Sequence, residues 1–193
     1  MQQIIFYLKQ GLFHVLDWSA FDHIFFLIVL IVVFSFADWK KTLWLITFFT
    51  IGHTITLAFS AYNVIHYKVA LIEFLIVATI FITALSNMLF QNKIKKGTIN
   101  INLFFALFFG LIHGLGFSSY FKMLVGRTDD KIVPLFSFAI GVEVAQAIIV
   151  VLLLSLAFIF QSLFKISKRD WILVISAIVM GIILPLLKER YIW

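Results

Sequence analysis

The chain has no cysteine in 193 residues, and only 12% of its residues are charged. Without cysteine there are no disulfides, no thiolate metal sites and no thiol catalysis. Soluble domains carry roughly 25% charged residues. So low a share, together with 63% hydrophobic residues and a mean hydropathy of +1.11, excludes an ordinary soluble protein. The start, MQQIIFYLKQGLFHVLDWS, lacks a basic stretch ahead of its apolar part and a cleavage site, so it is expected to be retained. No serine or cysteine nucleophile motif is present.

What remains is a set of apolar runs, each near the roughly 20 residues that cross a bilayer. They cover about 18–36, 42–61, 69–90, 101–121, 132–160 and 171–187, and use up the chain. The expected fold is therefore all-α, a polytopic transmembrane helix bundle of about six spans forming one integral membrane domain. Residues 1–17 are expected to form an amphipathic segment ahead of the first span. Pro134 marks the first turn of the fifth run, which is the longest, and the sixth run reads as scaffold. Trp18, Trp39, Trp44, Trp171 and Trp193 read as interfacial anchors, and the 24 phenylalanines as lipid-facing bulk.

The net charge of +6 comes from bases placed in the short connectors, where they anchor topology and meet lipid head groups. The partner is thus the lipid bilayer and not nucleic acid. Lys40, Lys41, Lys93, Lys95, Lys96, Lys165, Lys168 and Arg169 lie in the odd connectors, which are expected on the cytoplasmic side, with both termini outside.

Against this background the ionisable residues inside or beside the runs stand out. An ionisable group near the bilayer centre costs at least about 2.5 kcal/mol on insertion scales, so each is a functional candidate. His23 is near the outer mouth of the first span. His53 and His113 are each about nine residues below the outer ends of their spans, Glu73 about five, and Glu143 is nearer the midplane. A shared site opening to one face is expected. Around it, Thr50 and Thr54 share a helical face with His53 and could fix its tautomer. Gly110 and Gly114 flank His113 and allow close backbone approach. Gln146 sits one turn from Glu143, while His14 and Asp17 stand three apart before the pair Asp22-His23. Spans two and three supply His53 then Glu73, and spans four and five His113 then Glu143, a weak internal echo.

Imidazole plus carboxylate without thiolate is a ligand set for divalent transition metals, Zn²⁺ and Fe²⁺ as well as Ni²⁺ or Co²⁺. The metal-ligand candidates are His14, Asp22, His23, His53, Glu73, His113 and Glu143, supported by Asp17, Thr50, Thr54, Gly110, Gly114 and Gln146. Each such residue can also simply hydrogen-bond across a helix interface, and His66, in a connector, reads as inert. Three functions fit the set: metal transport, a metal-dependent membrane hydrolase, or a non-transporting metal-binding subunit of a membrane complex. A homo-oligomer fits a carrier of this size.

Four ordered motifs carry a resemblance. They are Gly11-Leu12-Phe13-His14-Val15-Leu16 leading to Asp22-His23, Phe49-Thr50-Ile51-Gly52-His53-Thr54-Ile55-Thr56-Leu57, Phe109-Gly110-Leu111-Ile112-His113-Gly114-Leu115-Gly116-Phe117, and Gly141-Val142-Glu143-Val144-Ala145-Gln146. Together they resemble the HupE/UreJ family over about residues 14–146. That family is associated with hydrogenase and urease gene clusters and is regarded as a nickel or cobalt permease. The resemblance implies metal uptake across a bacterial inner (cytoplasmic) membrane, with nickel or cobalt favoured. It puts His14, Asp22, His23, His53, His113 and Glu143 on motif positions.

Overall fold

A computed structural model describes residues 1–17, 21–90, 99–126 and 130–191 of the chain. Among these the structure is helical, without strands. The helices are α1 (Gln2–Leu16), α2 (Phe21–Ile31), α3 (Trp39–Ala61), α4 (Val69–Phe90), α5 (Ile99–Val125), α6 (Ile132–Ser162) and α7 (Lys168–Glu189), with a 3-10 turn at Phe36–Asp38 before α3. Among the described residues, five helices are long and apolar enough to cross a membrane, or six spans if the bent pair α1 and α2 counts as one. Large apolar side chains such as Phe104, Leu152, Phe158 and Ile178 are exposed along the helices. Such an outer surface suits lipid, since every backbone polar group there is satisfied inside its own helix.

The spans follow the hydropathy reading except at the beginning. Among the described residues the run expected at 18–36 yields the 11-residue helix α2, and the amphipathic segment expected ahead of it at 1–17 is α1, which packs its Tyr7, Gly11 and Val15 face against the bundle. The two helices meet at 69°, and counted together they are long and apolar enough for one broken span. Gly11 is the physical reason α1 can enter: a methyl group there would overlap the carbonyl of Phe138 on α6. Gly141 makes the reciprocal approach to the carbonyl of Leu8. Residues 91–98 of the third connector, Trp18, Trp193 and Asp129 fall outside the described residues.

Helix directions follow from pairs of contacts. Along α1, Tyr7 donates to the carbonyl of Leu124 and His14 meets Phe117, so α1 runs antiparallel to α5. The α3–α5 pair is parallel: Phe49 faces Gly110, and His53 faces Gly114 one turn on. Lys131 Nζ caps α3 by donating to the carbonyl of Ala61 at 2.8 Å, which places the start of α6 beside the end of α3. Tyr191, after α7, reaches Phe74 near the start of α4. The first residues of α1 and the end of α7 therefore share one face of the bundle with the 62–68 connector and the start of α6. The turn before α3 and the α6–α7 connector lie on the other face.

Not all phenylalanine faces lipid. Phe26, Phe49, Phe121 and Phe138 are among the largest fully buried side chains, a correction to the reading of this residue as outer bulk. Composition counts aromatic rings; it does not say which way a helix is turned.

Candidate metal centre

Four helices bring four histidines to one place. His14 comes from α1, His23 from the first turn of α2, His53 from the middle of α3 and His113 from the middle of α5. The ring centroids of His23 lie 4.6 Å from those of His14, 5.9 Å from His53 and 5.4 Å from His113. His14 and His53 are 5.8 Å apart. His23, His53 and His113 are buried, and His14 is half-buried.

The helix crossing explains the convergence. Gly52 and Gly110 face each other where α3 and α5 touch, and a methyl on Gly110 would overlap the carbonyl of Phe49. Gly114 lies equally tight against the carbonyl of His53. Backbones this close put His53, next to Gly52, and His113, three residues after Gly110, at the same level. Small residues at membrane helix interfaces serve this kind of approach.

The orientation of two rings is fixed by their Nδ1 atoms. His113 Nδ1 donates to the carbonyl of Phe109 at 2.9 Å, which leaves Nε2 as the bare nitrogen. His23 Nδ1 donates to Asp22 Oδ1 at 3.2 Å, the same carboxylate that accepts from the His23 backbone N–H at 2.9 Å. A carboxylate behind an imidazole sets the tautomer and raises the basicity of the other nitrogen, as behind metal-bound histidines. The Nε2 atoms of His14, His23, His53 and His113 are all buried without a hydrogen-bond partner. Four orphaned ring nitrogens in one cluster are costly in apolar surroundings unless something accepts their lone pairs.

A metal ion fits this donor set. One ring nitrogen from each of His14, His23 and His53 lies within 4.8 Å of the others. Metal–nitrogen bonds of about 2.0–2.1 Å put ligand atoms roughly 3–4 Å apart, so the side chains need only small rotations to close on an ion. His113 stands beside this trio with its own bare Nε2.

The carboxylates divide. Asp22 backs His23, whereas Asp17 and Glu73 line a cavity of about 460 Å³ that also reaches His14, His23 and His113. Tyr120 and Arg190 lie in its wall, so the cavity opens toward the face that carries the chain ends. Glu73 is exposed there. Glu143 is elsewhere: Thr47 and Thr50 of α3 both donate to its carboxylate, and the Thr50 hydroxyl also lies 3.0 Å from Gln146 Oε1. Since Thr47 and Thr50 precede His53 on α3, Glu143 lies a layer beyond the histidines, away from the cavity. Thr50 is thus spent on Glu143 and Gln146, and Thr54 on the carbonyl of Thr50 at 2.7 Å, so neither holds an imidazole. Ser118 donates to the carbonyl of Leu115 at 2.8 Å and bonds Tyr67. His66 is exposed in its connector.

Sequence reasoning missed the aromatic surroundings and Arg190. It also missed a second echo that was present in the letters. Gly-Leu-x-His-x-Leu occurs at 11–16 and at 110–115, and Phe-x-Ile-Gly at 49–52 and at 138–141.

The architecture defines an all-α, multi-pass membrane protein with a buried imidazole cluster at the base of a cavity. Within that class the chain belongs to the HupE/UreJ family: the family model described as HupE / UreJ protein matches residues 1–188. A search of curated proteins and a search of solved structures found no match.

Proposed function

We propose that the protein binds a divalent transition-metal ion through His14, His23, His53 and His113 and carries it across the membrane, with nickel or cobalt as the favoured cargo. The observation that carries this reading is the set of four buried Nε2 atoms without partners, two of them held in the metal-ready tautomer by Asp22 and by the carbonyl of Phe109. Nitrogen donors without thiolate suit Ni²⁺, Co²⁺, Zn²⁺ or Fe²⁺, with geometry deciding among them. Asp17, Asp22 and Glu73 outnumber Arg190 around the cavity and give an arriving cation a net negative approach, and water is exchanged for imidazole where the ion meets the histidines. The family supports transport as the purpose of binding. In this reading the setting is a bacterial inner membrane, with the cavity and the chain ends facing outward.

The test is flux of Ni²⁺, Co²⁺, Zn²⁺, Fe²⁺ and Mn²⁺ in sealed proteoliposomes holding the purified chain, with His113→Ala as control. Flux abolished by that substitution establishes a carrier and names its ion. Tight binding without flux removes the transport reading and leaves a metal-binding or hydrolytic protein.

A further inference from the structure

A second cavity, of about 330 Å³, lies on the far side of the histidine cluster, among residues of α2, α3, α4 and α5. Thr83, Ser86, Asn87 and Asn102 give its otherwise apolar wall a polar lining suited to water. Those positions belong to the last turns of α4 and the first turns of α5, so this cavity sits toward the opposite face of the bundle from the first.

Phe26 and Phe49 stand between the two. Their rings stack at 4.9 Å with planes 26° apart, and both side chains are fully buried. On one side they meet His113, at 5.0 and 5.1 Å. On the other, Phe26 meets Phe109 at 5.7 Å, and Phe109 forms part of the wall of the second cavity. The barrier between the cavities is thus about one pair of rings thick.

A matching pair lies at the other side of the cluster. Phe117 and Phe138 stack at 5.2 Å with planes 15° apart, and their rings are 3.6 and 5.7 Å from His14. Phe117, unlike Phe26, is half-buried in the wall of the first cavity. The two plugs share a register. Phe49 and Phe138 each precede a crossing glycine by three residues, and His113 and His14 each follow one by three. α1 is antiparallel to α5, and α3 is antiparallel to α6, because Lys131 meets Ala61 while Glu143 meets Thr47 and Thr50. The repeated motifs are therefore inverted about the histidines, the arrangement from which many carriers build two exchangeable states.

We infer that Phe26–Phe49 and Phe117–Phe138 are the two gates of one pathway, running from the first cavity through the histidines into the second. The structure has the Phe26–Phe49 rings closed between the histidines and the second cavity, whereas the first cavity already reaches His14, His23 and His113 alongside the stacked Phe117–Phe138 pair. The inference rests on the transport reading. Phenyl rings suit the task, since an apolar constriction excludes a hydrated divalent ion until the rings part. Glu143 lies off this path, on the α3–α6 interface.

The absence of cysteine permits a direct test. Ile76 lines the first cavity and packs in the same cluster as Phe26, so Ile76→Cys reports on the space behind the gate. In sealed vesicles of either orientation, a membrane-impermeant methanethiosulfonate should modify this cysteine from the first-cavity face alone. Adding Phe26→Ala, or in a separate variant Phe49→Ala, should raise the rate from the opposite face by about tenfold or more, because the minor open state is ordinarily populated at roughly 10% or less. Phe108→Ala, at an exposed ring, should leave it unchanged. Modification from the first-cavity face, kept in every variant, certifies the fold. No gain from the opposite face in either gate variant overturns the gates. Ni²⁺ flux in the same vesicles judges the transport reading separately: flux in the wild type with no gain in thiol rate sinks the gates alone, and Ni²⁺ binding without flux in the wild type sinks the transport reading and with it the pathway.

Discussion

Asp22 Oδ1 meets His23 twice, accepting from its backbone N–H at 2.9 Å and from its ring Nδ1 at 3.2 Å. The carboxylate therefore fixes both the first turn of α2 and the tautomer of the imidazole that α2 carries. Asp22→Asn keeps an acceptor but loses the charge. It should weaken Ni²⁺ binding by about 10–100-fold, the range for losing a partner behind a metal ligand, while the helical signal in circular dichroism stays unchanged. Calorimetric titration with Ni²⁺ reads the affinity, and an unchanged value would detach Asp22 from the site.

The glycines make a contrast that separates packing from propensity. Gly110 lies against the carbonyl of Phe49, whereas a methyl group on Gly181 of α7 would meet open space. Gly110→Ala should force α3 and α5 apart and cost about 1–3 kcal/mol, the usual range for overpacking. Because the crossing also sets the level of His53 and His113, Ni²⁺ affinity should fall with stability. Gly181→Ala should raise stability slightly, by about 0.5–1 kcal/mol through helix propensity. Thermal unfolding in detergent of the two variants checks both signs.

How far the sequence could be read depends on which physics each feature obeys. Hydropathy is a property of a run, and α4 lies at 69–90 as the run predicts, with α3, α5, α6 and α7 within a few residues of theirs. α1 escaped because Gln2, Gln3, Lys9, Gln10 and His14 interrupt it, so it reads as an amphipathic segment ahead of the first span; the burial of its inner face depends on Gly11 and Gly141 letting α1 and α6 touch, a contact between distant positions. The gathering of His23, His53 and His113 was legible because a polar ring in an apolar run has few places to go. The partnership of Glu143 with Thr47 and Thr50 was not, since depth along a helix says nothing about its rotation. The repeated Gly-Leu-x-His-x-Leu was in plain view but spans helices of 15 and 27 residues, and unequal lengths hid it.

At the face away from the chain ends, Asp38 accepts from Lys41 Nζ at 2.7 Å and from Ser35 Oγ at 3.1 Å. The ammonium of Lys41, with the Ser35 hydroxyl, holds the carboxyl below its usual range. A lowered folded value means that the pair contributes fully above the unfolded value of about 3.9 and is lost as the pH falls through the folded one. The pair is half-buried but in reach of solvent, so its contribution is on the order of 0.2–1 kcal/mol and is screened by salt. Asp38→Asn should lower the melting temperature slightly at pH 7 and make no difference once the pH is well below the folded value. An equal decrement at both pH values would refute the ion pair as its cause.

Glu143 provides the sharpest comparison within the candidate ligands. Two hydroxyls donate to its carboxylate, and it touches α3 a turn before His53 without entering the histidine cluster. Glutamine can accept from one threonine but turns an N–H toward the other, so Glu143→Gln should cost about 1.5–3 kcal/mol, as for hydrogen bonds to a charged group. If Glu143 is a strut between α3 and α6, Ni²⁺ affinity should stay within about threefold, under about 0.7 kcal/mol, while His53→Ala and His113→Ala each lose at least about tenfold. Thermal unfolding and calorimetric titration of the three variants together decide the matter. A loss of affinity in Glu143→Gln equal to that of the histidine variants would put the carboxylate back among the ligands, which requires α3 to rotate and release Thr47 and Thr50 when metal binds.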